Sequence, residues 1–545
     1  MINRCRNQSV MKSTITVLAL MVAGIAILPL AAQEAQSPPE VSQRLPETTV
    51  TQHVLDLPDR RLEFSATAGT IPIANSKGEN LAEVGFVAYT LKDTIAERRP
   101  VTFALNGGPG SASAWLHIGA LGPWRIRMEE AAAAPSAPVP LIPNIETWLD
   151  FTDLVFIDPV GTGFSQITPA SSRGDDKVGE GKTRRRGGRE GNREEGGASY
   201  FWSMDGDIES ISEVMHKWLK DAGRLNSPKL LVGESYGGFR APRIARTLEN
   251  KHGMALNALV LVSPVLDFAG RRGIFPPMMY VAALPSLAAA QMERKGEAVD
   301  RERLRSVEDY ARGDFLEDLM RGPRDSEAVG RIVPRVTEIT GLPDYTVKHY
   351  GGRISGRTYN REVNRPNGKV ASMYDASILG LDSTPHSSGM HHRDPFVAVL
   401  NVPMTAAMQR LYAGKLMYRT DRPYVKMNPK VNGAWIWGNS PNAPESMSDL
   451  REALAFDPKL RVLVTHGYTD LVTPYFASAL ILDQLPALGD GQRVASKVYP
   501  GGHMFYSRDA SRKAFREDGF NLVERVIIET NAGKAKPVPA GSDVN

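Results

Sequence analysis

The stretch Leu230 to Gly238, LLVGESYGG, constrains this chain more than any other. An apolar run from Lys229 to Val232, entered from Pro228, has the length of a short buried strand, and it stops at Gly233. Glycines at 233 and 237 allow a turn with no room for side chains. The segment Phe239 to Asn250 then reads as a helix, with Ile244, Ala245 and Leu248 spaced to share one face. A strand, a sharp turn and a helix in that order lift the Ser235 hydroxyl clear of the backbone and make it a candidate nucleophile. Three fixed positions in five recur by chance in long chains, so an ordinary turn serine is the competing reading. The rest of the sequence has to supply the partners of a nucleophile.

Further apolar strands are predicted at 101–105, 154–157, 258–263 and 461–465, with helical patterns between several of them, among them Met204 to Leu219. That alternation predicts an α/β chain with a mostly parallel central sheet and helices on both faces. In such a sheet Gly233-Glu234-Ser235-Tyr236-Gly237 is the nucleophile turn of an α/β-hydrolase fold. Val50 to Leu91 alternates between apolar and polar residues and predicts antiparallel strands opening the sheet. The core is expected in two parts, 50–269 and 426–530, separated by a largely helical cap insertion at 270–425. The Ala- and Pro-rich piece Ala131 to Pro143 reads as a surface loop.

Composition narrows the setting. With 545 residues, 42% hydrophobic and 23% charged, the chain has the balance of a globular protein with a large core. The net charge of +4 includes Arg4, Arg6 and Lys12, and without residues 1–32 it is about +1, so no nucleic-acid partner is implied. Those 32 residues have the layout of a signal peptide: a basic start, an apolar run from Ile15 to Leu30, then small residues. Met11 is an alternative start, and an uncut membrane anchor is the competing reading, but the run is short for a bilayer span and contains Pro29. The expectation is an exported, periplasmic or secreted protein with no stable membrane insertion after cleavage. Residues 33–49 read as a flexible leader, 171–199 as a disordered insertion with eight basic and six acidic residues, and 531–545 as a flexible tail. Arg184 to Arg186 belong to that insertion and read as solvated. The one cysteine, Cys5, precedes the apolar run, so a mature chain has no disulfide, thiol nucleophile or Cys-based metal site. His391 and His392 are adjacent and lack a third ligand, so neither a metal nor a cofactor is expected.

The partners of Ser235 are sought on loops at strand ends, in the chain order serine, acid, histidine. The strand Arg461 to Thr465 runs into HGYTDLVTP, which offers Asp470. A helix from Pro474 to Leu485 and a strand from Arg493 to Tyr499 follow, and the next loop, PGGHMFY, offers His503. His466 precedes its turn and reads as a packing residue; Asp483 and Asp490 read as solvated. An oxyanion formed on attack by Ser235 needs two backbone donors. The Tyr236 amide is one, and the Gly108 amide, in the loop Asn106-Gly107-Gly108-Pro109-Gly110 after the strand at 101–105, is the other. No Lys-Ser/Thr follows that loop, which argues against phosphate binding.

NGGPGSAS (106–113), DPVGTGFS (158–165), GESYGG (233–238), the HGYTDLVTP segment and GGHM (501–504) occur in that order over about 400 residues. In this the chain resembles the serine carboxypeptidase family, the acid-acting carboxypeptidases of the α/β-hydrolase fold. The resemblance implies a peptide substrate, with Asn106 and Glu234 holding the free carboxylate of its last residue. Only a protonated Glu234 can donate to that carboxylate, which implies cleavage favoured at acidic pH. Three positions depart from the family pattern: Ala104 replaces a Trp, Ser111 a Cys and Ala120 a Glu, the first and third at the carboxylate end of the pocket. The lack of cysteines fits a bacterial-type member. An acyltransferase or esterase on the same scaffold is the alternative enzyme, and a binding protein with an inactive site the non-enzymatic one.

Overall fold

The computed structural model describes residues 45–169, 192–271, 277–387, 393–438, 440–489 and 493–532. The expected signal peptide, the expected leader up to residue 44, most of the charged insertion (its residues 171–191, with Arg184 to Arg186), His391 and His392, Asp490 and the expected tail beyond 532 lie outside the described residues.

Within them, ten strands form one sheet. Three long antiparallel strands open it: β1 (Thr49–Asp56), β2 (Arg61–Ala74) and β3 (Asn80–Leu91). Six shorter strands follow: β4 (Val101–Leu105), β5 (Asp153–Ile157), β6 (Lys229–Glu234), β7 (Ala258–Val262), β8 (Arg461–Gly467) and β9 (Val494–Tyr499). The spatial order is β1-β2-β3-β5-β4-β6-β7-β8-β9, with the short strand Gln166–Ile167 beside β3. Every neighbouring pair from β5 to β9 is parallel. β4 to β7 are buried along their whole length, because helices cover both faces and alternate side chains enter two separate cores. Phe103, Leu231, Leu259 and Val464 face one core with α1 (Met204–Asp221) and α2 (Tyr236–His252). Ala104, Val232, Val260 and Leu463 face the other with α3 (Asp509–Ala532). This mostly parallel, doubly covered sheet is the α/β arrangement expected from the sequence.

Between β7 and β8 the chain is largely helical. The helices from Pro277–Arg294 to Gly356–Glu362 surround an apolar cluster of their own, which also takes in Tyr475 and Phe476. The helix Pro395–Arg410 packs instead into the core that holds Trp124 and Phe515. The segment also contains a small sheet, Lys369–Ala371 against Leu379–Leu381, whose three-residue strands are too short to alternate visibly.

Three sequence expectations need correction. The Ala- and Pro-rich piece after residue 131 is not all loop: Met128–Ala133 is helical because Met128 and Ala131 are buried, and Ile142–Pro143 pairs with Trp124–Arg125. The end of the charged insertion, 192–199, is docked, with Glu194 accepting from the Ser76 amide and hydroxyl. The leader's last residues also join the fold, since Leu45 is buried and β1 begins at Thr49. No described helix is long and apolar enough to cross a membrane.

Candidate active site

β6 ends at Glu234, and Ser235 takes φ 61° and ψ −119° before α2 begins at Tyr236. A serine is strained there, and such strain persists only where the surroundings enforce it. They do so by proximity: a Cβ on Gly233 would collide with the Gly237 carbonyl, so only glycine permits the turn. The Ser235 amide donates to the Val262 carbonyl at the end of β7 (2.8 Å). The next residue, Ser263, donates from Oγ to the His503 carbonyl (2.8 Å). The serine turn and the histidine loop are therefore tied to two consecutive residues at the same end of the sheet.

Asp470, after β8, and His503, after β9, are in contact: Nδ1 lies 2.8 Å from Asp470 Oδ2, and both side chains are buried. This favours the tautomer with Nδ1 protonated and leaves Nε2 able to accept a proton. Thr473 Oγ1 lies 2.7 Å from Asp470 Oδ2, 2.9 Å from the Ser263 carbonyl and 3.0 Å from His503 Nδ1. Asp470 Oδ1 accepts from the Val472 and Thr473 amides. Burial disfavours the Asp470 carboxylate, but the His503 imidazole and these hydrogen bonds outweigh it and hold the carboxyl below its ordinary range. From the inserted segment, the Tyr374 carbonyl accepts from the His503 amide (2.5 Å) and the Tyr374 ring meets the imidazole edge-on. His466 is hydrogen-bonded to Ser478 (2.9 Å), and burial pushes its imidazole down to about 4. Asp483 is exposed, with Arg312 3.6 Å away.

The glycine loop after β4 packs directly on the serine turn. A Cβ on Gly107 would fall 2.5 Å from the Tyr236 nitrogen and 2.7 Å from the Glu234 carbonyl, so loop and turn touch backbone to backbone. The Tyr236 ring points away, stacked on Phe239 with Trp435 and Trp437 edge-on. Two buried acids anchor the loop. Asp158 accepts from the Ser113 amide (2.8 Å) and the Tyr424 hydroxyl (3.1 Å), and burial pushes its carboxyl up to about 6. Asp207 on α1 holds the Arg240 guanidinium through two bonds (2.6 and 3.0 Å), and the third arm of Arg240 donates to the Asn106 carbonyl (2.7 Å).

Asn106 and Glu234 are brought together beside the turn. The Glu234 carboxyl is buried and accepts from the Tyr506 hydroxyl at 2.5 Å. Burial raises it to about 7, although the nearby His503, Tyr506 and Asn106 all favour its charged form. Asn106 Oδ1 accepts from the Leu116 amide, while Nδ2 is buried and has no full hydrogen bond. Ala104 and Ala120 are both buried in the adjoining core and offer Glu234 no polar group. Tyr506, Thr473 and Arg240 escaped the sequence reading. Tyr506 and Thr473 lie inside the quoted segments PGGHMFY and HGYTDLVTP, so proximity to His503 and Asp470 was the available signal.

Residues 58–310 match the model of the serine carboxypeptidase family. The chain is 33% identical over 198 residues to the pheromone-processing carboxypeptidase KEX1 of Metarhizium robertsii, covering 36% of this chain and 26% of that protein. To its namesake in Coccidioides posadasii it is 23% identical over 350 residues, covering 62% and 44%. The chain thus spans less than half the length of these curated, fungal relatives. The crystal structure of Kex1(delta)p, a prohormone-processing carboxypeptidase from Saccharomyces cerevisiae, aligns over 86% of this chain and 92% of its own with a TM-score of 0.52 and 16% identity. The fold is therefore that of an α/β-hydrolase, and over residues 58–310, a little under half of its length, the chain matches the serine carboxypeptidase family.

Proposed function

We propose that this chain is a serine-type carboxypeptidase that releases C-terminal amino acids from peptides and works best at acidic pH. Ser235 Oγ attacks the last peptide carbonyl while His503 Nε2 takes its proton, and Asp470 stabilises the imidazolium. The Gly108 and Tyr236 amides receive the oxyanion. Collapse expels the amino group of the last residue, protonated by His503, and leaves an acyl-enzyme on Ser235. Water activated by His503 then releases the shortened peptide.

The observation that carries this reading is Glu234, a buried carboxyl raised to about 7 directly before the nucleophile, with the unpaired Asn106 amide beside it. A protonated carboxyl and an amide N–H₂ are two donors, the complement of a free carboxylate. Such a site distinguishes a chain end from an internal peptide bond. The basic and apolar layout of residues 1–32 and the absence of cysteine after Cys5 support an exported, bacterial-type member, periplasmic or secreted, the fungal origin of the curated relatives notwithstanding.

Blocked dipeptides with a free or an amidated C-terminus test the proposal. Release of the last residue from the free acid, with little from the amide, is the expected result. Equal cleavage of both would remove the role of Asn106 and Glu234. Transfer of the acyl group to an added alcohol in preference to water would make the chain an acyltransferase.

A further inference from the structure

Lys426 is a buried lysine without a counter-charge. It is 4% exposed, and among the described residues its ammonium has neither an ion pair nor a hydrogen bond. What it has is the face of Trp115, whose ring centre lies 4.4 Å from Nζ. A cation over an indole ring recovers part of the cost of burial, and no acceptor among the described residues takes its three N–H donors. Burial lowers the group to about 8, so it is still charged at neutral and acidic pH.

The backbone around Lys426 is part of the active-site wall. Its carbonyl accepts from the Ala112 amide (2.9 Å), Met427 bridges to Ser111, and the Asn428 amide donates to the Gly110 carbonyl (2.8 Å). Trp115 follows the same glycine loop, and its neighbour Leu116 donates to Asn106 Oδ1 (3.1 Å). One turn further on, a Cβ at Gly119 would lie 3.1 Å from the ring of Tyr506, the partner of Glu234. The lone ammonium and the Asn106–Glu234–Tyr506 group therefore flank one short helical stretch.

We propose that Lys426, resting on Trp115, receives the side-chain carboxylate of the leaving residue, so that peptides ending in Glu or Asp are preferred substrates. This rests on the carboxypeptidase reading: Asn106 and Glu234 take the α-carboxylate, and the ammonium takes a second negative charge on the same residue. Among buried side chains, attraction between the two charges is screened less than in bulk water.

The test compares blocked dipeptides ending in Glu, Gln and Leu with the unaltered protein, Lys426→Met and Lys426→Arg. For the unaltered protein kcat/KM for Glu exceeds that for its uncharged isostere Gln by about ten- to a hundredfold. Lys426→Met brings the ratio near one, and Lys426→Arg retains most of it. Since Lys426→Met also removes an unpaired buried charge, its Tm rises. Should that variant fail to fold, the Glu-to-Gln ratio of the unaltered protein still decides. Equal rates on Glu and Gln, or a variant that slows Glu, Gln and Leu alike, would overturn the acidic preference and leave the carboxypeptidase reading standing. Release of no residue from any of the three would remove both.

Discussion

The Tyr506 hydroxyl donates to Glu234 Oε2 at 2.5 Å, and both side chains are buried. Tyr506 lies three residues beyond His503, so one loop supplies both His503 and the partner of the acid beside Ser235. The bond favours ionised Glu234 and opposes burial, the larger effect, which leaves the carboxyl at about 7. Tyr506→Phe removes this opposition, so Glu234 holds its proton to higher pH. The alkaline fall of kcat/KM for peptide cleavage then moves up by on the order of one pH unit. A pH–rate profile that stays in place or moves down would show that Tyr506 does not govern this titration.

Below about 7 Glu234 is protonated and can donate to a carboxylate placed beside it, as the proposed function requires; above it the charged group would repel one. Peptide cleavage therefore declines as pH rises through neutrality, while hydrolysis of an ester lacking a free carboxylate continues. Glu234→Gln keeps a neutral donor at every pH and abolishes the decline. Profiles of kcat/KM on both substrates with both proteins provide the check.

Asp470 holds His503 Nδ1 at 2.8 Å and fixes which nitrogen is free to act. Asp470→Asn lowers kcat on the order of ten-thousandfold with little change in KM. Ser235→Ala abolishes labelling by a serine-directed fluorophosphonate, read directly by mass spectrometry, whereas Asp470→Asn only slows it.

Gly107 admits no side chain, because its Cβ would press on the Tyr236 nitrogen and the Glu234 carbonyl. Gly107→Ala therefore displaces the loop that carries Gly108 and costs one oxyanion donor, a drop in kcat of about a hundred- to a thousandfold. A fold left intact by circular dichroism, together with that drop, separates the effect from simple unfolding.

Arg240 is wholly buried and ties Asp207 to the Asn106 carbonyl. Arg240→Met leaves the Asp207 charge uncompensated and destabilises the protein by about 3–5 kcal/mol, measurable by urea unfolding. Replacing both partners, Arg240→Met with Asp207→Leu, recovers much of that loss.

The strands were legible because each is a short apolar run with turn residues at its ends, and β4 to β7 are buried throughout, as such runs require. Ser235, Asp470 and His503 stand in readable order because each follows its own strand. Tyr506 was not legible as the partner of Glu234, since 272 residues separate them and nothing local marks the bond. Asp207 and Arg240 carry no local signal of their pairing, since only the packing of α1 against α2 brings them together. The helix at Met128–Ala133 was hidden by an alanine-rich composition that reads equally well as a loop; burial of Met128 decided it.

The order of strands also sets when the candidate site can be completed during synthesis. The strands that lead to Asp470 and His503, β8 and β9, join the sheet after all the others have been synthesised. A growing chain that already displays Ser235 at its turn has no base to activate it. The proposed constellation around Ser235 therefore cannot assemble until nearly all of the sheet has been synthesised.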